Sequence, residues 1–192
     1  MPFELPPLPH DRAALEPHLP ADVVDQRRRE QQAHLDAVNA AIEDGALAEA
    51  TLEQIAREAR GALAAHAAEA WTAAFQWATL APVQPGISPE PAGTLAEAMT
   101  RAFGDFAAFR GRFEQAAAHL PGAGRVWLAQ RRDGRLAIIA TPAAATLITG
   151  QDTPLLACPV PGDDGDARAR VFAAFWPLVD WKAVAARMRP SA

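Results

Sequence analysis

Arg27, Gln31 and His34 recur at i, i+4 and i+7, a spacing that lays them on one face of a helix. His66, Glu69 and Ala73 do the same on a second helical stretch further along the chain. A histidine within hydrogen-bond reach of a glutamate makes a general base, and an arginine beside them adds a seat for an anion. Two histidines with two carboxylates also suit zinc or non-haem iron. His34, His66, Glu69 and Asp163 are the set that would have to converge for this, with no tight spacing such as H-E-x-x-H among them. His10 and His18 stand in a proline-rich arm and read as surface or capping groups, while His119 ends a helix, where its charge suits the C-terminal dipole. The single cysteine, Cys158, excludes an internal disulfide. Strand alternation turns it to the face opposite Pro159, so it reads as a buried thiol rather than a nucleophile. Asp163, Asp164 and Asp166 around Gly165 lack the alternating ligands and final glutamate of an EF-hand and read as a solvated turn. Phosphate-cradling glycine loops, nucleophile elbows and paired-cysteine metal motifs do not occur in the sequence.

The elements that must position these groups follow from punctuation and periodicity. Six prolines between Pro2 and Pro20 make the first stretch an extended arm. Residues 22–41 favour helix, with Pro20 at its start; Asp44 and Gly45 interrupt, and one long second helix is predicted over 51–80, giving a helical hairpin. A proline- and glycine-rich loop covers 81–93. Helices are predicted at 94–103 and 105–119 and stop at Pro121-Gly122. The pattern then turns to strands: RVWLAQRR and RLAIIAT flank Asp133-Gly134, a dipeptide suited to a type I′ hairpin turn, and TPLLACPV (153–160) is a third strand. Residues 167–188 are helical, with a break or a new first turn at Pro177. The expected organisation is an arm and helical hairpin over 1–83 and an α/β domain over 84–192.

Bulk properties narrow the function classes. The 192 residues are 50% hydrophobic and 21% charged, which suits a globular protein with ample apolar material to bury. A net charge of −5 argues against non-specific nucleic-acid binding. Without an apolar run of about 18 residues no membrane span is expected, and the opening residues show no secretory signal. The cytoplasm is the expected location.

Several segments, in order, carry a family resemblance: FELPPLPHDRAALEPHLPA, EAWTAAFQWATLAP, GTLAEAMTRAFGDFAAFRGRFEQAAA, GAGRVWLAQRRDGRLAIIAT, DTPLLACPV and FWPLVDW. Together they resemble the iron/manganese superoxide dismutases over almost the whole chain. The resemblance implies an α+β fold, with an N-terminal antiparallel helical hairpin and a C-terminal domain of helices around a three-stranded antiparallel sheet. It also implies one iron or manganese held by three histidines and an aspartate.

At the positions aligned with those ligands the sequence reads Arg27 (or Gln26), Ala73, Pro159 and Asp163. Alanine and proline bring no side-chain donor, and a guanidinium has no lone pair to give. Around them the resemblance aligns His34 with the family's active-site tyrosine, Glu69 with a glutamine and Arg125 with a tryptophan. The expectation from these positions is a protein with no cofactor and no dismutase activity. It would serve as a binding, scaffold or regulatory protein for a protein partner, whether a second copy, an intact dismutase or a pathway enzyme. Two alternatives stay open: an enzyme of a new type using Arg27, His34, Glu69 and Arg125 on a small molecule, and a residual metal-dependent superoxide dismutase.

Overall fold

The computed structural model describes the chain apart from residues 1, 43–46, 48, 144, 163 and 190–192, and the side chain of Thr149. Two compact units divide it, Met1–Ala78 and Thr79–Ala192. The fold is α+β, with seven α-helices and one three-stranded antiparallel sheet among the described residues.

The first unit is helical. Its arm is tied back at Phe3, whose N–H donates to Asn39 Oδ1 (2.7 Å) and whose carbonyl accepts from Asn39 Nδ2 (2.9 Å). Helix α1 (Ala21–Ile42) buries Val24, Gln31, Leu35, Val38 and Ile42, a stripe with helical period that keeps one face inward. The expected interruption at Asp44-Gly45 lies outside the described residues. Thr51 then starts α2 (Leu52–Glu58) with a capping box: its hydroxyl accepts from Gln54 N–H, and the Gln54 side chain accepts from Thr51 N–H. The single helix predicted over 51–80 is in fact two. Arg60 is extended (φ −129°, ψ 160°), Gly61 is left-handed (φ 62°), and α3 runs Gly61–Trp77. Alanine-rich propensity carried the prediction across this point, whereas a glycine able to take positive φ without steric cost ends one helix and starts the next.

The second unit begins with α4 (Gly93–Phe103) and α5 (Phe106–Ala118), separated by Gly104 at φ 101° and by Asp105, whose carboxylate caps α5 at Ala108 N–H. Three strands follow: β1 (Gly124–Gln130), β2 (Leu136–Pro142) and β3 (Thr153–Val160), in the order β2-β1-β3. The central strand is the most buried, as both its edges are paired. Leu128 faces Leu156 but Ala129 faces Pro154, so Leu155 is an extra residue in β3. That extra residue brings Pro154 and Pro159 into the same phase, each opposite an odd-numbered residue of β1 (Ala129 and Arg125). Each proline lacks the N–H that would bond to a neighbouring strand.

The β1–β2 connection is not the predicted two-residue type I′ turn. That turn needs positive φ at both central residues, and of the pair only Gly134 has it (φ 81°). Gly134 N–H instead donates to Arg131 O (3.0 Å) and Arg131 N–H to Arg135 O (2.8 Å), a three-residue loop ending in a left-handed glycine. The last helical stretch breaks at Pro177 as expected: α6 (Gly165–Phe175) passes through a 3-10 turn at Trp176–Leu178 into α7 (Trp181–Ala186), capped by Asp180. No helix among the described residues is long and apolar enough to cross a membrane.

Gly124 opens β1 where the Thr141 carbonyl oxygen crosses it. A Cβ there would run into that oxygen, with Pro142 Cα 3.2 Å and Leu120 Cδ1 3.3 Å away. Gly124→Ala is expected to destabilise the second unit by about 1–3 kcal/mol, the usual range for overpacking. A lowered urea midpoint would show this, and an unchanged midpoint would mean that β2 gives way without cost.

Candidate functional site

Two helices bring imidazoles together in the first unit. His34 projects from α1 and His66 from α3, and their Nδ1 atoms lie 2.9 Å apart, with ring centroids 5.1 Å apart and ring planes tilted by 45°. At that distance one Nδ1 carries a proton and donates it to the lone pair of the other. Both rings are partly exposed.

One turn before His34, Gln31 is 1% exposed. Its Oε1 accepts from Arg28 Nη1 (3.3 Å), which fixes the orientation of the amide, and its Nε2 has no acceptor among the described residues. Burial lowers the Arg28 guanidinium from its ordinary value. Arg27 and Glu69 are partly buried on the same two helices, and so is Ala73.

The second unit holds the other expected positions. Arg125 and Pro159 are register partners across β1 and β3, and Arg125 also faces Thr141 across β1 and β2. Cys158 is fully buried, with its Sγ 3.6 Å from Pro159 O, as a thiol of the interior should be. Asp163 lies outside the described residues. Its neighbour Asp164 caps α6, accepting from Asp166 N–H (2.9 Å) and Ala167 N–H (3.1 Å).

Arg168 is the residue that sequence reasoning missed. Buried on α6, its guanidinium donates to six main-chain carbonyls: Pro161, Gly162, Ala117, Ala118, Leu120 and Gly122. It binds the end of α5 to the segment that leaves β3.

The donor set can be tested against the metal that the resemblance implies. Arg27, Ala73 and Pro159 offer no metal-binding atom. Among the described residues no group of three or more His, Cys, Asp or Glu comes together. His34 and His66 meet; Glu69 joins them in no such group. Asp163, the fourth aligned position, lies outside the described residues.

Comparison with known proteins gives a consistent family. Residues 2–81 match the family model for the iron/manganese superoxide dismutase alpha-hairpin domain, and residues 91–187 match that for the C-terminal domain. The proteins named Superoxide dismutase [Fe] from Salmonella typhimurium (strain LT2) and Escherichia coli (strain K12) are each 38% identical over 191 residues, covering 96% of this chain and 97% of the relative. The one from Legionella pneumophila is 36% identical over 187 residues, covering 94% and 96%. These likenesses overturn the expectation of a metal-free binding, scaffold or regulatory protein without dismutase activity. That expectation rested on four aligned positions, one in a helix whose register against the family pattern is ambiguous by one residue. The likeness to named dismutases extends over nearly all of each chain. On both family models and on these relatives, the chain belongs to the iron/manganese superoxide dismutase family.

Proposed function

We propose that this chain is an enzyme of superoxide chemistry, acting in the cytoplasm to convert superoxide into oxygen and hydrogen peroxide. The observation that carries this reading is the 38% identity, over 96% of the chain, to enzymes named Superoxide dismutase [Fe]. Dismutation handles an anionic substrate and takes up two protons for each peroxide released. On this reading His34 and His66 hold a proton between their Nδ1 atoms, and Arg27 attracts the anion. No step is assigned to iron.

The test uses tag-free protein, assayed as purified and again after incubation with iron or manganese, with metal analysis of each sample. Suppression of superoxide-driven cytochrome c reduction is expected at roughly ten times the level of heat-denatured protein or more, a difference in barrier of at least about 1.4 kcal/mol. Suppression no greater than that of the denatured control in every sample sinks the reading.

A further inference from the structure

The imidazole pair between α1 and α3 has a geometry that a metal ion can use without rearranging the helices. A tetrahedral ion bound to two imidazole nitrogens at about 2.0–2.1 Å sets those nitrogens roughly 3.3 Å apart and their ring centroids about 5.2 Å apart. The centroids of His34 and His66 are already 5.1 Å apart, and their Nδ1 atoms are 2.9 Å apart. A modest swing of each ring about its own side-chain torsions turns the shared proton's place into a metal's. A right-angled pair at the same bond length would match the nitrogens, at about 2.9 Å, but would draw the centroids in to about 4.5 Å, so the ring positions favour the tetrahedral ion.

A second observation is a buried donor one turn away on the same helix. Gln31 stands one turn from His34 on the same face of α1, is 1% exposed, and has an Nε2 donor with no acceptor among the described residues. A buried amide donor left without an acceptor costs about 1–3 kcal/mol. Arg28 holds the amide's oxygen and so dictates which end is left to donate.

We propose that His34 and His66 form a two-imidazole site for a tetrahedral divalent cation, zinc foremost, whose remaining positions are taken by water or a small anion that accepts from Gln31. Two neutral imidazoles suit a borderline ion of this kind. The site is made of residues other than those aligned with the family's ligands, and a bound ion takes the place of the proton that the function proposed above puts there.

The experiment is a titration of tag-free, chelator-stripped protein with Zn2+ by calorimetry, and with Co2+ by visible absorption. One zinc per chain and an intense, tetrahedral-type cobalt spectrum are expected. His34→Asn and His66→Asn should each weaken binding by at least about tenfold, while the triple variant His10→Ala, His18→Ala, His119→Ala binds as the parent does. Circular dichroism establishes that the variants are folded. A parent protein with no tetrahedral cobalt spectrum overturns the proposal whatever the variants do. So does zinc binding that survives both asparagine substitutions, or that disappears in the triple variant.

Discussion

Replacing Arg168 by methionine is expected to destabilise the second unit by about 3–5 kcal/mol, because several buried carbonyls lose a charged donor at once. Arg168 is 9% exposed, and its guanidinium sends Nε to Pro161 O (3.2 Å) and Gly162 O (3.1 Å). Its Nη1 reaches Ala117 O (2.8 Å) and Ala118 O (3.4 Å), and its Nη2 reaches Leu120 O (3.0 Å) and Gly122 O (2.8 Å). The last carbonyls of a helix have no partners within it, so Arg168 serves as the C-terminal cap of α5, and its positive charge suits that end of the helix dipole. Methionine keeps much of the stem's packing and removes every donor. Arg168→Lys is expected to recover little, because an ammonium puts three donors at one point and cannot span carbonyls that approach a planar fork from several sides. Hydrogen exchange at residues 117–122 and 164–168, together with denaturant unfolding followed by tryptophan fluorescence, measures both effects. A loss below about 1 kcal/mol for the methionine variant would show that other groups or solvent take over the carbonyls without cost.

Phe109→Ala is the second large effect, again about 3–5 kcal/mol. Phe109 is 0% exposed and sits at the centre of an aromatic cluster in the second unit. Its ring centroid lies 5.3 Å from Phe103, 6.0 Å from Phe106, 5.6 Å from Phe113, 5.9 Å from Trp176 and 6.4 Å from Trp181. Several of these are tilted or edge-to-face, the arrangements that ring quadrupoles favour. Truncation removes the ring's burial and leaves a cavity bounded by rigid rings that cannot collapse into it. Phe109→Leu, which keeps more of the volume, should cost less than half as much. Equal losses for the two substitutions would mean that ring geometry, rather than filled volume, accounts for the stability.

The sheet was legible in the sequence because its signals are local. Short apolar runs, a glycine after an aspartate and a proline-bounded third segment are enough to outline β1, β2 and β3, and the observed strands differ from the expected ones by a residue or two. The turn type was missed because Asp133-Gly134 suits more than one loop, and the closing bonds at Arg131 and Arg135 decide among them. The break before Gly61 was hidden by the alanines on either side, which favour helix whatever the tertiary structure does.

The site was legible only one helix at a time. Spacing put Gln31 and His34 on one face and His66 and Glu69 on another, but which histidine meets which group depends on how α1 and α3 slide past each other, and neither helix encodes that alone. Arg168 carried no signal because its partners are main-chain oxygens, which every residue has. The functional expectation erred for a different reason. It weighed what four positions lack above what the remainder of the chain shares with proteins named Superoxide dismutase [Fe].

The two in-phase prolines of β3 bear on how this protein behaves when concentrated. An exposed strand border normally invites another chain to dock and begin an amyloid-like stack. Pro154 and Pro159 bring no N–H to β3, and Leu155 kinks the strand between them. Self-templated fibre growth along β3 is thereby discouraged by the covalent structure itself, and it stays discouraged in partly unfolded chains where helices no longer shield the sheet.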